Sequence, residues 1–299
     1  ISAQSGLINF TQGPVLVENR PVRSTRGLFP QMKERETLRT TDGRAELLLN
    51  PGVFLRVGEN SAVRMVSGRL TDSRLELLSG TVVLEAAEVR KDSTVTLHYG
   101  DATVSVLKRG LYRLETDPAR LRVFDGKARV ESGGQRVEVG KGKQFSFDGD
   151  ATITKFNRKQ TDALDLWSSR RAAHLARVSM STARSLRRGE WSRTNGWWWN
   201  PIYGAYTFMP LGGYAYSPYG YYFWNPRTVY QAYSQPTGGG GSYQGSSPAY
   251  SSGPSMRPSS SSSSEGGLSG GSISRPTTQS VPARPSGSTG GGLSSAGRK

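Results

Sequence analysis

LRTTDGRAELLLNPGVFLRVGENS, residues 38–61, is the stretch that decides the fold of this chain. Two mostly apolar runs, Ala45–Leu49 and Val53–Val57, flank Asn50-Pro51-Gly52. In the second run Val53, Leu55 and Val57 alternate with Phe54 and Arg56. A period of two lets one face of a strand be buried. Pro-Gly between such runs is turn chemistry, because Pro presets φ and Gly accepts positive φ. Gly58-Glu59-Asn60 then ends the second strand.

The same grammar fills the first half of the chain. Gly6–Phe10 and Pro14–Val17 read as opening strands, and Arg20–Lys33 as a loop. Further strands are expected at 62–66, 74–78, 81–85, 94–99, 102–107, 111–115, 120–124, 128–132, 135–139 and 144–147. Asp42-Gly43, Ser79-Gly80, Gly100-Asp101, Asp125-Gly126, Gly133-Gly134 and Asp148-Gly149 break them. Short strands closely spaced with glycine turns predict a mainly β fold, either a sandwich or a β-solenoid-like coil. Apolar residues make up 34% of the chain and are unevenly spread, so a core fits the first half and not the last quarter. There is no cysteine, which excludes disulfides, thiolate metal sites and a Cys nucleophile. No run of 18 apolar residues exists to cross a bilayer as a helix. Ile1-Ser2-Ala3-Gln4 reads as what remains after removal of a leader, which predicts an extracytoplasmic location: periplasmic, cell-surface or secreted.

Several short motifs, in order, resemble the FecR domain. They are Leu38-Arg39-Thr40, Gly43-Arg44-Ala45-Glu46, Leu55-Arg56-Val57-Gly58-Glu59-Asn60, Leu78-Ser79-Gly80-Thr81-Val82, Val123-Phe124-Asp125-Gly126-Lys127-Ala128 and Val139-Gly140-Lys141-Gly142. The resemblance covers residues 6–157. It implies an extracytoplasmic bacterial domain, β-solenoid-like in fold and without catalytic activity. In the signalling members this domain senses an outer-membrane transporter and controls a sigma factor. Those members also carry a cytoplasmic helical domain and a transmembrane helix ahead of it, and these 299 residues contain neither. The family usually has Gly-Thr before a late strand, whereas here Leu111 follows Gly110.

Four segments are therefore expected: the β-domain at 1–157, a basic helical segment at 158–193, an aromatic segment at 194–234 and a tail at 235–299. In the second, Thr161 or Asp162 can cap a helix, and Asp162 and Asp165 suit its positive end. Leu164, Trp167, Arg171, Leu175 and Val178 recur near helical spacing, either packing on the β-domain or presenting Arg170, Arg171, Arg177, Arg184, Arg187 and Arg188 to an anionic surface. Between Thr194 and Pro226 there is no charge, and Trp-Asn-Pro occurs at 199–201 and 224–226. Its prolines and glycines disfavour a helix. Trp197, Trp198, Trp199, Tyr203, Tyr206 and Trp224 either dock on the β-domain or form a platform for glycan, membrane interface or self-association. The Ser/Gly/Pro tail predicts a disordered tether.

Visible chemistry is sparse. The two histidines, His98 and His174, have no second His near them at ligand spacing. No phosphate-cradling Gly-Lys-Ser/Thr loop occurs. Asn9-Phe10-Thr11 fits a glycosylation acceptor only formally. No catalytic, cofactor or metal residue is assigned. Single-stranded nucleic acid is disfavoured although the formal charge is +16, because aromatic and basic residues are segregated. Trp197, Trp198, Trp199, Tyr203, Tyr206, Trp224, Arg170, Arg171, Arg187 and Arg188 are the candidate surface-binding residues. The function expected is a non-enzymatic cell-envelope scaffold or recognition protein that binds wall, glycan, lipid surface or an envelope protein. The alternative is a periplasmic signalling sensor acting with a separate membrane or sigma-regulator partner.

Overall fold

Residues Val53–Val57 form a strand, and all five side chains are buried, Phe54 and Arg56 included. Alternation accounts for only one of those two faces; what covers the other shapes the rest of the molecule. The computed structural model describes residues 5–22, 29–148, 152–186 and 196–234.

In chain order the strands begin with β1 (Leu7–Gln12), β2 (Val15–Val17), β3 (Arg20–Pro21), β4 (Thr37–Thr40), β5 (Arg44–Leu48) and β6 (Val53–Val57). Next come β7 (Ala62–Arg69), β8 (Asp72–Ser79), β9 (Thr81–Ala86), β10 (Thr94–Tyr99), β11 (Ala102–Val106) and β12 (Gly110–Thr116). β13 (Ala119–Asp125), β14 (Lys127–Ser132), β15 (Gln135–Gly140), β16 (Lys143–Ser146) and β17 (Ile153–Lys155) complete this region. The strand reading holds, with β3, β4 and β17 added. β3 and β17 are exposed two- and three-residue edges, too short to show a period.

Two sheets result. The first has the order β1-β5-β6-β9-β12-β13-β16-β17, the second β15-β14-β11-β10-β8-β7-β4-β2-β3. Within these sheets neighbouring strands pair antiparallel except β8 and β10. After most hairpins the chain crosses to the other sheet. Leu47, Leu55 and Leu84 of the first sheet share one buried cluster with Leu75, Leu97 and Val130 of the second. The architecture is thus two sheets face to face, the sandwich form of the two alternatives. The Asn50-Pro51-Gly52 turn is closed by Val53 N donating to the Asn50 carbonyl at 2.8 Å, with Gly52 at φ 83°.

The long helix α1 (Ala163–Ser185) follows. Asp162 is its N-cap and forms a reciprocal capping box with Asp165, as the acidic start suggested. Leu164, Trp167, Arg171, Leu175 and Val178 are all buried. The aromatic segment is more regular than its composition suggests. It folds as two hairpins, β18 (Gly196–Asn200) with β19 (Ala205–Met209) and β20 (Tyr214–Tyr216) with β21 (Tyr222–Trp224).

A helix, α2 (Pro226–Ser234), then forms although the prolines and glycines of this segment disfavour one. Its proline sits in the first turn, where its missing N–H costs nothing. Asn225 caps it: its side chain accepts from Arg227 N at 2.9 Å and its carbonyl from Val229 N at 3.2 Å. Asn200 makes the same cap for the turn after β18, accepting from Ile202 N and Tyr203 N. The repeated Trp-Asn-Pro is therefore a strand-ending cap. It ends the first strand of one hairpin and the second strand of the other, so it marks no repeated hairpin. The tail expected at 235–299 lies outside the described residues.

One turn tests the β architecture directly. Gly126 has φ 92°, and a Cβ there would lie 2.3 Å from the Tyr112 hydroxyl and 2.6 Å from the Arg109 carbonyl. That hydroxyl accepts from Lys127 N at 3.0 Å. Gly126→Ala is expected to cost roughly 1–3 kcal/mol from strain alone. Urea unfolding should show a lower midpoint at unchanged slope; an unmoved midpoint would contradict the geometry.

Candidate recognition face over the first sheet

The first sheet turns one face into the sandwich and the other toward α1 and the hairpins. Cross-strand pairing aligns Glu46, Arg56, Val83, Arg113 and Arg122 in one row across β5, β6, β9, β12 and β13. Phe54 and Glu85 are opposite each other in the adjoining row. The outward face is therefore charged, yet most of it is dry.

Arg56 is fully buried between two fully buried carboxylates, with Nε 3.1 Å from Glu46 Oε2 and Nη1 2.6 Å from Glu85 Oε2. From α1, Arg171 Nη2 reaches Glu46 Oε1 at 2.8 Å, and its guanidinium lies 4.0 Å from the centre of the Phe10 ring. Asn9 donates to Glu46 at 3.1 Å and Ser217 donates to Glu85. Burial alone would raise the Glu46 carboxyl, but Arg171 and Arg56, with hydrogen bonds from Arg171 and Asn9, hold it at about 2. Burial alone would lower the Arg56 guanidinium, but Glu85 and Glu46 raise it well above its usual value.

A second cluster sits near the start of α1. Arg113 meets Glu115 at 3.1 Å, Asp162 at 2.5 Å and Asp165 at 3.0 Å. Arg120 and Arg122 also reach Glu115, at 2.7 and 2.8 Å. The uncovered sheet would present two carboxylates and one guanidinium at one end and three guanidiniums and one carboxylate at the other. Helix α1 answers with Arg171 at the first and with Asp162 and Asp165 at the second. This pattern matches one direction and one register of the helix. Its acidic start also suits the helix dipole.

The hairpins close the remainder. Phe54 stacks on Phe223 at 5.6 Å and meets Trp197 edge-on at 5.1 Å. Trp197 Nε1 donates to the Leu49 carbonyl at 3.1 Å. Tyr206 is buried, its N–H donating to Asn9 Oδ1 and its carbonyl accepting from Asn9 Nδ2. Asn9 is thus 3% exposed with its amide engaged on both sides, which leaves the formal glycosylation triplet no free acceptor.

The sequence candidates scatter. Arg171 and Tyr206 face inward; Trp197, Trp198, Trp199 and Trp224 are half-buried; Arg170 and Tyr203 are exposed. Tyr203 lies 5.9 Å from the His174 ring beside the exposed side of α1. Arg187 and Arg188 lie outside the described residues. What the sequence did not single out is the outward face of the second hairpin. Ala215 and Phe223 are buried on one face; on the other Tyr214 is exposed, Tyr216 and Tyr222 are half-buried, and Trp224 packs in part against Ala183, Met209 and Val229. Neighbouring rings there are 5.1–5.7 Å apart, and Tyr214 is 58% exposed. Alternation along two three-residue strands carries this signal, but such strands are too short to read beforehand.

Neither histidine joins a reactive cluster. His98 faces outward on the second sheet with Thr103 Oγ1 3.3 Å away, and burial lowers its imidazole. Among the described residues no three His, Asp or Glu side chains converge as metal ligands.

The ion network makes the cover acid-sensitive. The Glu46 carboxyl titrates at about 2 when folded, against an ordinary 4.5, so its contribution is complete above that ordinary value and fades as pH falls toward 2. Near-UV circular dichroism should report loss of aromatic packing in that window, with a flatter profile in Glu46→Gln. At neutral pH, Arg171→Met removes a buried partner and is expected to cost about 3 kcal/mol in urea unfolding.

Residues 36–129 match the family described as FecR protein. Two crystal structures of a protein assigned as an anti-sigma factor from Parabacteroides distasonis ATCC 8503 bear a likeness at 12% and 11% identity, with TM-scores of 0.36 and 0.35. In both, the match covers 40% of this chain and 59% of the other, so this chain spans about three-fifths of their length. No curated protein sequence matches. Residues 36–129, which run from just before β4 into β14, are thus the part of the chain that matches the FecR family.

Proposed function

We propose that this protein is a non-catalytic, extracytoplasmic signalling component, in which a FecR domain and its helical and aromatic cover are read by a separate membrane-bound or sigma-regulating protein. The FecR domain supports a regulatory role, since the family is not one of enzymes. The anti-sigma assignment of the Parabacteroides protein points the same way. One observation carries the choice of surface: the outward ring row of the β20–β21 hairpin. The cover already occupies the outer face of the first sheet. A partner approaching from that side meets Tyr214, Tyr216, Tyr222 and Trp224 rather than the sheet itself. Inward Ala215 and Phe223 anchor the row, so presenting it needs little further ordering. No described helix is long and apolar enough to cross a membrane, so the membrane step belongs to a partner or to chain outside these residues.

The test pairs transcription with binding. Deleting the gene is expected to change a limited set of transcripts, and Tyr214→Ser with Tyr222→Ser should reproduce that change. The double variant should keep its thermal midpoint, since both rings point outward. In-cell crosslinking from position 214 should trap an envelope protein in the wild type. An unchanged transcript profile, with loss only of binding to isolated cell-wall polysaccharide, would overturn the signalling reading in favour of an envelope scaffold.

A further inference from the structure

A cleft of about 410 Å³ opens where three parts of the chain meet. Leu111 and Phe124 come from β12 and β13, Leu166 and Ser169 from α1, and Tyr216, Pro218 and Tyr219 from the second hairpin. Of the lining only Leu111, Phe124 and Asp125 lie within residues 36–129, so the cleft exists because the cover is docked. Its volume is within the range of ordinary small-ligand sites.

The lining is mixed: rings and leucines share it with Asp125, Lys141, Arg158, Thr161, Asp165 and Ser169, and these polar groups are unequally engaged. Asp125 is paired with Lys141 Nζ at 2.7 Å, and Asp165 with Arg113. Both lining carboxylates therefore have their cations. Arg158 differs: among the described residues its guanidinium has a single polar neighbour, the Phe124 carbonyl at 3.4 Å. It is exposed at the rim with donors to spare. Guanidiniums hold two of the aromatic rings from outside the cleft, Arg122 at 5.6 Å from Phe124 and Arg109 at 5.5 Å from Tyr216. The Tyr219 hydroxyl is buried beneath the floor, and burial pushes its titration well up, so it stays a neutral phenol.

We infer that this cleft binds a compact aromatic or branched apolar group carrying a carboxylate, with the apolar part against Leu111, Leu166 and Phe124 and the carboxylate on Arg158. A carboxylate fits because the unengaged rim group is a guanidinium, which takes carboxylates through paired charge-assisted hydrogen bonds. A second cation is not favoured, since the acidic lining groups are already matched.

The probe is 3-phenylpropionate, titrated into the ¹⁵N-labelled full chain, with 3-phenylpropanamide as the uncharged control. Shifts are expected at the amides of Phe124, Ser169 and Tyr219, with the acid binding about tenfold tighter than the amide. Arg158→Gln should erase that preference while leaving amide binding and the thermal midpoint as they were. Ser169→Phe, which fills the cleft, should abolish both. N-acetyl-Phe-Asp-amide separates the two sources of the same chemistry. Tighter binding of the acid assigns the site to a free small molecule, and tighter binding of the dipeptide assigns it to a partner's side chains. Absence of shifts at the lining residues, or an acid preference that survives Arg158→Gln, would overturn the assignment. Neither result bears on the transcript and crosslinking test of the ring row.

Discussion

Glu46, Arg56 and Glu85 are charged groups shut away from water, and that constraint organises how α1 and the two hairpins sit on the first sheet. Moving such charges out of water costs several kcal/mol each, and only well-placed counter-charges and hydrogen bonds offset it. The sheet does not supply enough of them alone. Two carboxylates share one guanidinium until Arg171 arrives from a helix 125 residues further along the chain. Ser217 and Asn9 then satisfy remaining lone pairs. A shift that put Ala172 at that position would leave Glu46 short of a partner, and a shift that put Arg170 there would replace Asp165 with Leu164 beside Arg113. The network therefore contributes more to register than to net stability, because an apolar set of the same shape could close the face as tightly.

The start of α1 reinforces this. Asp162 serves the helix as its cap and the sheet as a partner of Arg113, and the same tie draws its carboxyl down to about 2 against the opposing effect of burial. Asp165 shows the reverse balance, with burial and the neighbouring Asp162 raising it despite Arg113. Two carboxylates competing for one guanidinium divide its influence unequally, and the one that takes the side-chain hydrogen bond at 2.5 Å gains more. The exposed side of the helix, with Arg170 and Arg177, has no such role and keeps its charge in water.

What could be read from the sequence follows from how local each signal is. Val53, Leu55 and Val57 announce a buried strand face by their spacing alone, and Leu164, Trp167, Arg171, Leu175 and Val178 announce a buried helix face in the same way. Phe54 and Arg56 were ambiguous, since an aromatic beside an arginine on alternate positions equally describes a wet face. Only a cover from distant sequence makes both residues buried, and pairing across 125 residues leaves no periodic trace. The aromatic segment hid its hairpins for a different reason. Strands of three to five residues separated by Gly and Pro fall below the length at which alternation is distinguishable from composition. Asn200 and Asn225 were visible as a repeated motif, but their capping role depends on backbone direction, which composition does not carry.

The FecR match spans β4 to β13 and part of β14, but the surface laid over those strands belongs to the cover. Without α1 and the hairpins, a partner would meet a row of charges that bind strongly only to their complements. With them, it meets uncharged rings and a ring-lined cleft rimmed by Arg158. The rings select by shape and apolar area and depend little on salt, whereas the charge pair at Arg158 is screened by it. A cover seated by charge and read through rings keeps those two tasks on opposite sides of one hairpin, Phe223 inward and Tyr214 and Tyr222 outward. Any event that loosened the ion network would therefore alter the outer face without touching it. In a protein that relays a state from one partner to another, this geometry would link a change at the sheet to the surface that is read.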